Sequence, residues 1–259
     1  MKHIQIDKLH GKKRLWQQVG LSSSKAGTMT LTLDGRVIAT PSGVPLSCPT
    51  RTMAETVRAE WQAVEGVCTL DRMPLTRLLA TAVEAEADSA LFHRLIDEMV
   101  SYAHDDVLFY RAAHPVDLVH RQDQVWTPLL DWAYGILGVP CRVTPSVMPI
   151  RQDDIFICAL EDILRSMTSF DFSAFQMSAR GCQSLIVGLA VVRGHITPDM
   201  AFDAAFLDEL YQSDLWGADE LAAQRRTGVR ADLTHAVRFA VLARGEALQE
   251  DYSCAVASL

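Results

Sequence analysis

Glu209 and Asp208 stand side by side in FDAAFLDELYQSDLW, residues 202–216. Wound as one helix at about 100° per residue, Phe202, Phe206 and Leu210 form a stripe with Ala205 beside them, and Glu209 falls between Ala205 and Phe202. A carboxylate on such a face, left unpaired, shifts its pKa or costs on the order of several kcal/mol. Three uses would justify it. It could be an acid–base group or metal ligand, in a hydrolase or metal-dependent enzyme built around Glu209 and Asp208 with a histidine brought in by folding. It could contact a partner protein. It could pair inside the fold with an arginine such as Arg111 or Arg180.

Other reactive residue types give weaker patterns. Cys182 is read at the start of the apolar run that follows GCQS, where a helix N-terminus could lower a thiol pKa, but no histidine partner can be assigned to it. His93 with Asp97, His104 with Asp105 and Asp106, and His114 with His120 lack the spacing of a zinc site and read as solvated residues. GLSSSKAGT at 20–28 lacks the G-x-x-x-x-G-K-[ST] spacing and leads into a strand, so it reads as a loop and not a phosphate cradle. Neither G-x-G-x-x-G nor G-x-S-x-G occurs. No catalytic residue, cofactor or metal is expected, and an interaction protein is the remaining class.

Composition narrows the partners. Among 259 residues 49% are hydrophobic, enough for a full core, and the longest apolar run, Leu185 to Val192, falls far short of the roughly 20 residues that span a bilayer. The net charge of −8, with no long Lys/Arg run, argues against nucleic acid or an anionic membrane as partner. The basic N-terminal stretch has no secretory or import pattern, so a bacterial cytoplasm or a matured mitochondrial matrix protein is expected. Cys48, Cys68, Cys141, Cys158, Cys182 and Cys254 form no C-x-x-C pair and read as reduced core thiols. Trp126, Trp132, Tyr211 and Trp216 are of the type favoured as interface anchors, with core packing favoured for the first two.

The elements that must position these residues change character along the chain. Met29 to Thr40 alternates around Asp34-Gly35, the signature of a hairpin with a type I′ turn, and Leu15 to Leu21 reads as a further strand of a small antiparallel sheet. Thr50 or Thr52 caps a helix through Met53, Val57, Trp61 and Val64 that packs on the sheet. Beyond MPLT at 73–76 helical spacing covers 75–87, 90–103 and 152–167, and Thr127-Pro128 reads as an N-cap and first residue. Ser184 to Val192, apolar all round, should be the buried central helix; Thr197-Pro198 opens the next, and a last helix is expected from about Asp232 to Arg244. The fold class is therefore α+β, with a small sheet-and-helix domain over 1–73 and an all-α bundle over 74–259.

Seven motifs in order then carry a resemblance: KRLWQQV at 13–19, LDGRVIATPSGVPL at 33–46, AEW at 59–61, MPLTRL at 73–78, YAHDDVLFYRA at 102–112, WTPLLDWA at 126–133 and LDELYQSDLWGADE at 207–220. The chain resembles the ATP-twelve family, assembly chaperones of the F-type ATP synthase that bind its alpha subunit. It departs from the family's pattern from Leu79 to Glu84, where the family's A-N-T-A-[IL]-D loses its Asn, at Phe109 and at Cys182. The resemblance implies an orthogonal helical bundle behind a small α+β domain. It also implies a non-enzymatic role: holding the unassembled alpha subunit of the catalytic head until it pairs with beta subunits, with no cofactor and no stable membrane association. A monomer is the expected state. The family's L-D-E-x-x-Q-x-x-x-W-G is met at Leu207, Asp208, Glu209, Gln212, Trp216 and Gly217, and the resemblance implies its Glu, Glu209, as the functional candidate; with the aromatics and polar residues around it, the partner contacts expected are Glu209, Tyr211, Gln212, Trp216 and Asp219.

Overall fold

The Asp34-Gly35 turn is built as its residue types require. In the computed structural model, which describes residues 3–23, 27–146, 148–217 and 219–246, both turn residues have positive φ, +48° and +77°. They join β3 (Met29–Leu33) to β4 (Arg36–Ala39) in an antiparallel hairpin with Leu33 opposite Arg36. Asparagine, aspartate and glycine are the residues that tolerate this left-handed geometry.

Around the hairpin, β2 (Val19–Ser23) pairs with β3 along its whole length, and β5 (Ser47–Cys48) pairs with its first two residues. β1 (Ile4–Gln5) lies parallel to β4, so the sheet is mixed and not purely antiparallel. Two residues cannot display an alternation that would reveal a strand, which is why β1 is invisible in the sequence pattern. Residues 24–26 of the expected loop at 20–28, and Cys254, lie outside the described residues.

Helix α1 (Arg51–Gln62) begins where Thr50 Oγ1 accepts from the Met53 N–H at 3.2 Å. It lays Met53, Val57 and Trp61 on the apolar face of the sheet, formed by Leu31, Leu33 and Ile38, and the Trp61 ring meets Trp16 edge-on at 5.5 Å. The chain then continues as α2 (Pro74–Ala87), α3 (Ser89–Ser101), α4 (Val116–Leu137), α5 (Asp154–Arg165), α6 (Ser169–Cys182), α7 (Leu185–Val192), α8 (Pro198–Ala205), α9 (Leu207–Trp216) and α10 (Glu220–Arg244). The α+β class expected from the sequence is the observed one.

Two compact units emerge, each discontinuous in sequence. The first contains the described residues up to Phe92, Thr168–Ala174 and the described residues from Arg238 on; the second contains His93–Met167 and Phe175–Val237. Within the first, Thr50 Oγ1 donates to the Leu242 carbonyl at 2.6 Å and Ser173 Oγ to that of Leu78 at 2.9 Å. Within the second, α7 is buried on every side. Its Gly188 is so close to α6 that an added Cβ would stand 2.7 Å from that of Ala179. Only glycine permits that approach without moving a backbone.

Three helix boundaries differ from expectation. Thr127-Pro128 does not open a helix: Pro128 lies inside α4, whose buried residues Leu118, Gln122, Trp126, Leu129, Ala133 and Leu137 continue one stripe across it. Burial of that stripe outweighs the missing N–H. Helix α10 begins at Glu220, well before Asp232, and Asp219 Oδ1 accepts from the Ala222 N–H at 2.8 Å where it starts. Its first turns are rich in arginine and polar residues and carry little apolar periodicity. Residues 202–216 are not one helix either, because α8 ends at Ala205 and α9 restarts after Phe206, whose ψ of 16° leaves the helical range.

Candidate functional site

The break at Phe206 resets the phase of the apolar stripe. Through α8, the break and α9 the large buried side chains are Phe202, Phe206, Leu207 and Tyr211, while Leu210 is only partly covered. Glu209 is thereby turned off the core face, and its side chain keeps 42% of its exposure. It accepts from Arg225 Nη2 at 2.6 Å and 2.8 Å through both carboxylate oxygens, and Arg226 Nη1 lies 3.4 Å away. The ion pair is therefore intramolecular, but with α10, not with Arg111 or Arg180. Arg180 pairs with Glu98 at 2.6 Å, and Arg111 lies 3.7 Å from Asp123.

The contact between α8, α9 and α10 repeats one device. Arg225 pairs with Glu209 while lying 5.3 Å over the Phe206 ring; Arg230 pairs with Asp199 and Asp203 while lying 4.3 Å over the Phe202 ring. On the other side of α9, Arg121 of α4 meets Asp214 at 3.4 Å and stacks over Tyr211 at 5.2 Å. Each guanidinium thus serves a carboxylate and an aromatic face together, which suits its flat, weakly hydrated shape. The arginines of QRRTGVR at 224–230 were the sequence signal for this seam, though nothing in their order names their partners.

Beneath it, Asp208 is held differently. Its Oδ1 accepts from Gln122 Nε2 at 2.8 Å, and Gln122 Oε1 accepts from the Ala112 N–H at 2.8 Å. Burial raises the Asp208 pKa above its ordinary value, opposed by that hydrogen bond and by Arg111. Trp126 is fully buried and donates from Nε1 to the Ala204 carbonyl at 2.8 Å, and Trp132 stacks on His195 at 4.8 Å.

The five expected partner contacts are brought to one stretch but not to one kind of environment. Tyr211 is buried under Arg121, Glu209 is half-exposed in its ion pair, and Asp219 is exposed at the start of α10. Gln212 points to solvent. Trp216 is 82% exposed, and Leu215 and Leu221, also exposed, flank it in the chain. An indole left in water at the end of a helix, beside two leucines, is a surface that gains free energy when covered.

The fold gives the reactive groups surroundings that their spacing in the chain does not show. Cys182 closes α6 and does not open α7, so no helix N-terminus favours its thiolate, and burial pushes its pKa up to about 12. His104 Nδ1 accepts from the Gln152 N–H at 3.2 Å, and Asp97 pairs with Arg165 at 3.3 Å. Asp106, expected in solvent, is 2% exposed. Its carboxylate accepts from the N–H groups of Leu108 and Ile186, each at 3.1 Å, the second being an otherwise unpartnered donor in the first turn of α7. Burial raises its pKa, against the lowering effect of those donors and of Ser184. Among the described residues no group of three His, Cys, Asp or Glu side chains could hold a metal ion. Cys158 is exposed, unlike Cys48, Cys68 and Cys182.

A family model described as the ATP12 chaperone protein matches residues 13–134, so the class to which the fold answers is that of a chaperone. The chain superimposes on the crystal structure of Atp12 from Paracoccus denitrificans with a TM-score of 0.81 at 35% identity, covering 90% of this chain and 99% of that one. A protein of Agrobacterium tumefaciens matches with a TM-score of 0.79 at 31% identity, over 88% of this chain and 85% of that one. The mitochondrial protein atp12 of Schizosaccharomyces pombe is 24% identical over 224 residues, 80% of this chain and 75% of that protein. The chain belongs to the ATP12 chaperone family. No helix among its described residues is long and apolar enough to cross a membrane.

Proposed function

We propose that this ATP12-family chaperone acts in ATP synthase assembly by binding the unassembled alpha subunit of the F-type catalytic head, keeping it from aggregating until beta subunits take its place, and that it does so without catalysis. A lone subunit of a ring exposes apolar surface meant for its neighbour, and such surface aggregates. The observation that carries this reading is Trp216, left 82% exposed beside exposed Leu215 and Leu221. Glu209, Gln212 and Asp219 supply polar groups around that apolar tip, the arrangement of an anchor inside a polar rim.

In this reading Glu209 presents its half-exposed carboxylate, together with Arg225, to a basic group of the client, while Tyr211 supports the helix from beneath. The deciding experiment is co-expression with the alpha subunit of the same host. A complex that copurifies, with less alpha subunit in the insoluble fraction, is the expected result. An alpha subunit that forms no complex and is equally soluble alone excludes the proposal.

A further inference from the structure

Gly228 is a glycine that its own fold does not explain. Of the 14 glycines, most have positive φ, the conformation that glycine adopts without strain. Gly20, Gly181 and Gly188 sit where an added Cβ would stand 2.8, 3.1 and 2.7 Å from a neighbour. Gly135 and Gly228 have neither reason: both are helical, and an added Cβ would meet open space. Gly135 lies in the last turn of α4, which ends at Leu137, whereas Gly228 is well inside the 25 residues of α10. Glycine in a helix interior is less stable than alanine, because its backbone loses more freedom on folding. A residue that weakens its own helix and touches nothing around it leaves room for something outside the chain.

The helical period places that room. At about 100° per residue, Leu221, Gln224 and Gly228 share one side of α10, opposite the buried Arg226, Leu233 and Val237. All three are exposed, Leu221 at 76%. Leu221 belongs to the apolar tip at Trp216, so this side of α10 continues that tip for two turns, about 10 Å, up to Gly228. The width of the gap selects what fits. Gln224 and Asp232, the neighbours of Gly228 one turn away on either hand, carry full side chains, so another backbone can come close at a point but not along a line. An extended strand laid along α10 would need a run of small residues; a helix crossing at an angle needs one. We propose that the client contact runs from Trp216 and Leu221 to Gly228, and that the client element received there is an α-helix, crossing α10 over Gly228 with its aliphatic ridge against Leu221.

The inference rests on the reading of the alpha subunit as client, and its test separates the two. Gly228→Ala, Gly228→Leu and the control Gly135→Ala are made in the full-length protein, and melting temperature and affinity for the alpha subunit of the same host are measured for each. Both alanine variants should melt about 2–4 °C higher than the wild type, because each gains helix propensity. Gly228→Ala should nevertheless bind the alpha subunit about tenfold more weakly, and Gly228→Leu more weakly still, while Gly135→Ala binds as the wild type does. A photo-crosslinking residue in place of Gln224 should attach to a helical segment of the alpha subunit. Wild-type affinity in both Gly228 variants, an equal loss in Gly135→Ala, or crosslinks to a strand or loop each overturns the inference. So does a wild-type dimer that Gly228→Leu dissociates, since the occupant is then a second copy of the chain. A wild type that binds no alpha subunit removes the client reading itself, and this inference with it.

Discussion

Asp106 and Glu209 are acids set among apolar residues in the chain, and the fold treats them in opposite ways. Asp106 is withdrawn from water, and its charge is met by backbone N–H groups, one of them in the first turn of a helix distant in sequence. Glu209 stays half in solvent and is met by two arginines of α10. A buried acceptor that completes otherwise unpaired donors is structural by necessity, because removing it strands those donors. An exposed ion pair contributes little to stability, so its cost of removal is small and its charge remains available. The contrast separates acids that hold the fold from acids that the fold can offer to a partner.

The largest expected effect is on the structural side. Asp106→Ala leaves the Leu108 and Ile186 N–H groups without their acceptor and should cost about 3 kcal/mol in urea unfolding. A loss no greater than that of an exposed-residue control would break the comparison. On the partner side, Trp216→Ala should leave the unfolding midpoint unchanged and weaken alpha-subunit binding by about 2 kcal/mol, measured by calorimetry, because the exposed indole touches little of its own fold. Unchanged affinity would remove Trp216 from the interface. Glu209→Gln should cost about 1 kcal/mol of stability, because its pair with half-exposed Arg225 contributes little and the amide oxygen still faces Arg226, whose side chain is only 9% exposed, and client affinity should fall by more than stability. The opposite ranking would make Glu209 a structural residue like Asp106.

The smallest effect is a slope. Because burial raises the Asp106 pKa in the folded protein, the folded state holds that proton to a higher pH than the unfolded chain does. Stability contributed by Asp106 should therefore decline as pH rises from the ordinary carboxylate range, and level off once the folded carboxyl has ionised. Measured as wild type minus Asp106→Asn in urea at successive pH values, the difference should fall with rising pH. A rising difference would mean that the donors outweigh burial.

How much of this was legible in the sequence depends on the range of the interaction. The Asp34-Gly35 hairpin, the Thr50 and Thr197 caps and the all-apolar α7 are local, and their residue types and spacing announce them. The AEW and MPLTRL motifs look independent in the chain, yet Glu60 accepts from the Leu75 and Thr76 N–H groups at 2.9 Å and 2.8 Å and so completes the start of α2. Nothing in the order of residues shows that. Phe206 is silent in the sequence for a related reason: its apolar type fits a regular 3.6-residue period, yet the chain leaves the helix there, and Glu209 faces α10 and solvent instead of the core.

By itself the sequence determined the α+β class, the hairpin, most of the helices and, through its ordered motifs, the likeness to the ATP12 chaperones. These rest on short-range periodicity and turn chemistry, which act over a few residues and need no knowledge of neighbours in space. Only the tertiary structure decided that Glu209 pairs with Arg225 and Arg226, that Asp106 lies inside at the start of α7, and that Trp216 stays in water. Burial and partner choice are properties of surfaces assembled from distant segments, and a carboxylate's role depends on which of those surfaces it meets.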